Sequence, residues 1–237
     1  MEKTQRVAAI ELKVWGDYAC FSRPDFKVER VSYPVMTPSA ARGVLEAIFW
    51  KPEFRYRVRE IGVLRLGSQI TILRNELSQP QRGDPICVED QRQQRSSLIL
   101  KDVSYLIRAD ILLRPHAEAA VYKYRDQFRR AVDRGQCHHT PYLGTREFAA
   151  LFDFPDGSES VQPLNLDLGP MLLDIAYVED ANRRELQFLK HGPAGARVVW
   201  GYARAVFFNA CLRGGWLRVP ADRYREVYRL EGEVADA

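Results

Sequence analysis

The sequence predicts an α+β protein: a ferredoxin-like (RRM-like) N-terminal domain over residues 1–155 with an inserted hairpin at 66–97, then a small antiparallel β-rich domain over 156–237. Three observations carry this reading. Strand-like and helix-like runs alternate in the order β-α-β-β-α-β, which is the ferredoxin-like arrangement. The stretch Pro155-Asp-Gly-Ser-Glu-Ser160 breaks that pattern, and the runs beyond it are of strand type. With 237 residues, 46% of them hydrophobic and 28% charged, the chain is long enough for one large core or two small ones.

Val7 to Val14 alternates in polarity as a half-buried strand does, and the run continues towards Phe21. A basic loop from Ser22 to Arg30 carries Phe26. Thr37 then offers a helix N-cap, and Pro38 suits the first helical position, where its missing N–H costs nothing. Ala40, Ala41, Val44, Leu45, Ile48 and Phe49 recur at helical spacing until Pro52 ends the run. Between Phe54 and Leu64, aromatic and aliphatic residues alternate with arginine, the mark of a half-exposed strand. Residues 66–97 are polar and turn-rich around Ser78-Gln-Pro-Gln-Arg-Gly-Asp-Pro85, which reads as an extended hairpin. Ser97 to Leu100 and Val103 to Leu113 are strand-like. A second helix is expected from Ala117 to Gly135, with Gly135 as its C-terminal cap, and a strand from Pro141 to Phe154. Met171–Tyr177, Glu185–Leu189, Ala196–Trp200 and Ala203–Phe208 supply the C-terminal strands. The end, Glu226 to Ala237, is polar and expected to fray.

Composition narrows the partners. Net charge is only +4, but the cations are 28 Arg against 7 Lys, and arginine suits bidentate phosphate contacts and stacking on bases. A GC-rich genome would produce the same bias. Cys20, Cys87, Cys137 and Cys211 are scattered with no CxxC, so neither disulfides nor a metal site is expected, and Cys137-His138-His139 lacks a second ligand pair. No apolar run is long enough to span a membrane and the start carries no apolar signal core, so the chain reads as cytoplasmic. On the second helix, Val121, Tyr124, Phe128 and Val132 share one face, while Lys123, Gln127, Arg130 and Arg134 share another. A solvated face explains that charge by itself. The continuation Arg134-Gly-Gln-Cys-His-His139 adds further possible phosphate contacts at the helix end. Among the aromatics Trp15, Tyr18, Phe26, Phe54 and Tyr56, Phe26 in its basic loop is the best candidate to stack on an unpaired base, and Trp15 and Phe54 fit a core.

Longer stretches are specific in wording. Val14-Trp-Gly-Asp-Tyr-Ala-Cys-Phe21, Tyr33-Pro-Val-Met-Thr-Pro-Ser-Ala-Ala-Arg-Gly-Val-Leu-Glu-Ala-Ile-Phe-Trp-Lys-Pro52, Val88-Glu-Asp-Gln-Arg-Gln-Gln-Arg95, Lys123-Tyr-Arg-Asp-Gln-Phe-Arg-Arg130 and Pro141-Tyr-Leu-Gly-Thr-Arg-Glu-Phe148 together resemble the Cas five family of CRISPR-associated proteins, in its type I-C form. The resemblance spans roughly residues 7 to 150. It implies a RAMP-superfamily Cascade subunit that binds crRNA and cleaves pre-crRNA repeats without metal or cofactor, keeping the 5′ handle. It implies as partners the crRNA, Cas seven backbone subunits and the Cas eight large subunit, with 66–97 as a thumb packed on the neighbouring backbone subunit. Active members of the family use a tyrosine near the end of the first helix and a Lys-His pair at the start of the second. Those positions fall on Phe49, Lys123 and Tyr124, so one hydroxyl is missing and a phenol replaces an imidazole. Tyr33, Tyr122, His138 and His139 are further candidates for the proton transfer. Expected RNA contacts are Lys27, Arg30, Arg42, Lys51, Arg130, Arg134, His138, His139 and Arg146. A non-catalytic RNA-binding scaffold that caps the crRNA 5′ end is the alternative, and a ferredoxin-like small-molecule sensor a remoter one.

Overall fold

The structure is a computed structural model that describes residues 6–26, 28–78, 83 and 85–232. Among these residues ten strands and four helices follow one another: β1 (Val7–Ala19), β2 (Arg30–Val31), α1 (Pro38–Ile48), β3 (Phe54–Arg65), β4 (Ser68–Leu77), α2 (Val88–Gln91), β5 (Arg92–Leu113), α3 (Val121–Asp133), β6 (Leu151–Asp153), β7 (Leu166–Glu179), β8 (Leu186–Gly192), β9 (Gly195–Arg213), β10 (Trp216–Arg218) and α4 (Ala221–Leu230). The strands join one mixed, mostly antiparallel sheet in the order β6-β1-β5-β3-β10-β9-β7, with β2 and β4 also on β5 and β8 on β9. Strand β10 pairs with β3 on one side and β9 on the other, so hydrogen bonding runs unbroken from the first half of the chain into the second.

The helices form where local chemistry says they should. Thr37 Oγ1 accepts from the Ala40 amide (3.2 Å), and Pro38 opens α1, which buries Ala41, Val44, Leu45 and Ile48 against the sheet. Helix α3 buries Val121, Tyr124, Phe128 and Val132, the four apolar positions expected from its periodicity. One apolar core joins these residues to Phe54, Tyr56 and Tyr105 of the first half and to Met171, Leu173, Phe208, Leu217 and Tyr224 of the second. Among the described residues no helix is long and apolar enough to cross a membrane.

Four expectations change. The second helix starts at Val121 rather than Ala117, because the chain turns at Pro115, with the Ala117 amide on the Arg114 carbonyl (3.0 Å). The strand expected over Pro141–Phe154 is confined to Leu151–Asp153. Gly144 sits at φ +87° where any Cβ would collide with the Cys20 carbonyl, so Tyr142 to Phe148 is a turn packed on the end of β1. The two runs at Ala196–Trp200 and Ala203–Phe208 merge into the single long β9. The C-terminal segment expected to fray is helical through Leu230: Tyr224, Val227 and Tyr228 are buried at i, i+3 and i+4, and the Tyr224 hydroxyl accepts from the Val58 amide (3.3 Å). Within 66–97, β4 pairs with the first part of β5 from Ser68↔Lys101 to Leu77↔Arg92, forming a long hairpin. Its turn at 79–82 lies outside the described residues.

Candidate functional site

Three chain segments far apart in sequence converge beside the start of α3. The first is the exit from α1. Phe49 caps that helix, its carbonyl accepting from the Tyr56 hydroxyl (2.6 Å), and Pro52 prevents continuation. Trp50 and Lys51 are thereby left facing solvent. The second is the loop Arg114–Ala120 that enters α3. The third is the two-residue turn between β8 and β9, reaching over from the C-terminal half. Together they enclose a cleft of about 560 Å³ lined by Lys51, Glu53, His116, Glu118, Lys123, Tyr124 and Gln127, and closed by His191, Gly192, Pro193 and Gly195.

The cleft does not stand alone. Lys123 also lines a shallower hollow of about 600 Å³ with Tyr122, Asp126 and Arg130. On the other side, His191 also lines a second hollow of about 560 Å³ between α1, β7, β8 and α4. Shared residues, Ala119 and Lys123 on one side and His191 on the other, thus link three hollows in a row across the molecule.

The electrostatics of the central cleft are mixed. Lys51 and Lys123 make no ion pair among the described residues. Helix α3 has Ala120 as its N-cap, with no side-chain cap and no acid in its first turn; the Lys123 amide donates to the Ala120 carbonyl (3.1 Å), and the positive dipole end lies beside the hollows that Ala119 lines. That end suits an anion. One carboxylate oxygen, Glu53 Oε2, is buried with no hydrogen-bond partner. An unpartnered buried oxygen is costly. The Tyr124 phenol is pushed above its ordinary pKa by burial, with Glu53 and Glu118 adding to the effect. It therefore stays protonated at neutral pH and can donate a proton but not accept one. Two imidazoles, a phenol, two ammonium groups and a needy carboxylate give this cleft the parts for proton transfer beside an anion. Among the described residues no three His, Cys, Asp or Glu side chains are grouped to hold a metal ion.

Of the residues singled out from sequence, Lys51, Lys123 and Tyr124 come together here. Phe49 lies behind the cleft: its ring stacks on Phe54 (5.6 Å, 23°), which in turn meets Tyr124 (5.3 Å). Arg130 is exposed in the adjoining hollow, its Nε donating to the Asp126 carbonyl (3.3 Å). Arg134 caps the far end of α3. His138 and His139 are exposed, and both their amides donate to the Ala47 carbonyl (2.8 and 3.2 Å), tying that loop to α1. Arg30 lies beside Ser97, midway along the β4–β5 hairpin, paired with Glu76 (3.4 Å) and Glu147 (3.3 Å). Arg146 is exposed in the neighbouring turn. Lys27 lies outside the described residues. Arg42 is committed elsewhere: its guanidinium donates to both oxygens of Asp174 (2.7 and 2.8 Å) and to Glu46 (2.7 Å), so its charge is spent inside the protein. Burial opposes that charge, but the two carboxylates outweigh it and hold the group well above its ordinary pKa. It is a strut between α1 and β7.

Sequence reasoning missed Glu53, His116 and His191. No motif links them, since they stand about 60 to 140 positions apart. The local signals were Pro115 ahead of a helix and the Gly192-Pro-Ala-Gly195 turn, and neither says what the turn will touch.

Comparison with known proteins gives the chain's relatives. A family model, Cas5d, described as CRISPR-associated protein (Cas_Cas5), matches residues 9–186. A Thermus thermophilus protein named "CRISPR pre-crRNA endoribonuclease Cas5d" is 62% identical over 225 residues, covering 95% of this chain and 97% of its own length. A Mannheimia succiniciproducens protein of the same name is 36% identical over 243 residues, covering 93% and 98%. A solved structure described as "Crystal Structure of CRISPR-associated Protein" superposes with a TM-score of 0.60 at 22% identity, covering 90% of this chain and 92% of that one. A functionally uncharacterised Streptococcus mutans protein superposes at 0.59 and 19% identity with the same coverage. The two structures share the fold.

Proposed function

The chain belongs to the Cas five (Cas5) family of CRISPR-associated proteins, and from that premise we propose that it binds crRNA within a type I-C Cascade and generates it by cutting pre-crRNA repeats without a metal. In this reaction the ribose 2′-oxygen attacks the adjacent phosphorus and the bond from phosphorus to the 5′-oxygen breaks. The products are a 2′,3′-cyclic phosphate and a 5′-hydroxyl. The observation that carries the reading is the central cleft, where Lys123, a protonated Tyr124, two imidazoles and Glu53 line one cavity at a helix N-terminus.

Roles follow from chemistry and position. Lys123 and the α3 amides hold the negative charge that grows on the phosphate. Tyr124, kept protonated by its burial, delivers a proton to the leaving 5′-oxygen. His116 takes the proton from the 2′-hydroxyl: it lines this cleft only, whereas His191 also packs edge-on against Trp50 (5.4 Å, 67°). Glu53 adds a carboxylate to the same lining. Phe49, in the core behind, packs and does no proton transfer.

The strand order β6-β1-β5-β3, with α1 and α3 packed into one core, supports reading residues 1–155 as a ferredoxin-like RAMP domain and 156–237 as a β-rich addition. The β4–β5 hairpin serves as the thumb against a Cas seven backbone subunit, with the Cas eight large subunit completing the assembly. Leu73 (71% exposed) and Val88 (54% exposed) on that hairpin favour a protein contact.

The test is incubation of the purified protein with end-labelled repeat RNA in EDTA, with the product ends identified chemically. A 2′,3′-cyclic phosphate and a 5′-hydroxyl are expected. Tight binding with no cleavage would instead support the scaffold that caps the crRNA end, a reading favoured by the absent hydroxyl at Phe49.

A further inference from the structure

The hollow beyond His191 has no part in the chemistry just described, yet it is built for a planar, charged ligand. Its volume of about 560 Å³ is in the range of small-ligand sites. Trp50 lines it, 39% exposed because α1 ends two residues earlier, at Ile48, and its ring meets His191 in a T-shaped contact (5.4 Å, 67°). Tyr177, 43% exposed, pairs with Phe188 on another wall (5.5 Å). The Arg55 guanidinium lies 3.3 Å over the Tyr228 ring, and the lining mixes the cations of Arg42, Arg55 and Lys190 with the carboxylates of Glu46, Asp174 and Glu231. Large aromatic faces, cations and polar groups are what a nucleotide needs: a ring to stack on, charge for its phosphate, and partners for the base edge.

Because His191 lines both cavities, a ligand here sits one step from the cleavage cleft. We propose that this hollow is a nucleotide subsite that takes an unpaired base flanking the scissile phosphate, stacked on Trp50; the proposal rests on the RNA-cleaving reading above. The subsite gives sequence or position preference to the cut without touching the reacting atoms. It also gives the C-terminal half a direct share in RNA recognition, through Tyr177 and His191.

The experiment scans the repeat RNA with a single abasic nucleotide at each position and measures affinity and cleavage rate for the wild type, Trp50→Ala and Trp50→Phe. Base–aromatic stacking of about 1–3 kcal/mol corresponds to roughly 5- to 150-fold in affinity. In the wild type, one position next to the cut should therefore weaken binding about tenfold when abasic. Trp50→Ala should lose a similar factor on intact RNA and become indifferent to the abasic nucleotide at that one position, and Trp50→Phe should keep part of both. A 2-aminopurine placed there should be quenched on binding to the wild-type protein, a readout that needs no variant to fold. If Trp50→Ala responds to every abasic position as the wild type does, or the 2-aminopurine is not quenched at any flanking position, the subsite is refuted while cleavage stands. If the wild type neither binds nor cuts the repeat, both the subsite and the cleavage reading fall.

Discussion

Removing one carboxylate should unsettle the joint between the two halves of this molecule. Asp174 on β7 is 5% exposed and accepts two hydrogen bonds from Arg42 of α1, at 2.7 and 2.8 Å; the Arg42 side chain is 24% exposed and also binds Glu46. Deleting one partner of a buried pair costs about 3–5 kcal/mol, because the survivor is left desolvated and alone. Here Glu46 remains and part of the guanidinium reaches water, so Asp174→Ala should cost less, about 2–3 kcal/mol. A chain of this size shifts roughly 2–4 °C per kcal/mol, which places the loss near 4–12 °C in Tm. Thermal unfolding followed by circular dichroism, with urea titration as a second measure, reads this directly. The double variant Arg42→Met with Asp174→Leu removes both charges and should recover most of the loss. A cost below about 1 kcal/mol for Asp174→Ala, or a double variant less stable than the single, would refute the strut.

Other outcomes follow from the same geometry. Tyr124→Phe keeps the buried ring and removes the proton, so cleavage should fall about 10²- to 10⁴-fold while repeat-RNA affinity stays within about twofold; equal losses of both would mean that Tyr124 only packs. Replacing Arg130 and Arg134 together by Ala should weaken RNA binding and flatten the slope of log affinity against log salt by about 1.4, from roughly 0.7 per single-strand phosphate contact, with Tm unchanged because both side chains are exposed. Glu179 clamps the β8–β9 hairpin through Arg197 (2.7 Å) and Lys190 (2.9 Å), which pull its carboxyl from the usual 4.5 to about 2. Its folded pKa is depressed, so its stabilisation is complete above about pH 4.5 and is lost as pH falls through about 2. Glu179→Gln should remove that acid dependence, and exposure of the pair keeps its contribution small.

How far the sequence reached depended on distance along the chain. Helix α1 was readable because its cap, its first-turn proline and its buried positions are all local. The buried face of α3 was readable for the same reason. Strand β10 is only three residues long and carries no periodicity, yet it joins the sheet from one half to the other. Helix α4 hid its three buried residues in a polar stretch. The turn at Tyr142 to Phe148 read as a strand because Gly144's backbone conformation leaves no mark on hydropathy. Arg42 was expected to contact RNA, since nothing local announces Asp174, 132 residues away. The cleft was legible only in its α1 and α3 members; Glu53, His116 and His191 enter it through loops and a hairpin tip whose placement is a tertiary fact.

The central claim is that RNA is cut in the cleft between α1, α3 and the β8–β9 turn. Single-turnover cleavage of the repeat in EDTA by the wild type, Lys123→Ala and His116→Ala, with affinity measured alongside, addresses it most directly. Both variants should lose cleavage by at least about a hundredfold and bind RNA within a fewfold of the wild type, since one contact among many is removed from binding and an essential group from the reaction. Undiminished cleavage by both variants would contradict the assignment and place the chemistry elsewhere on the molecule.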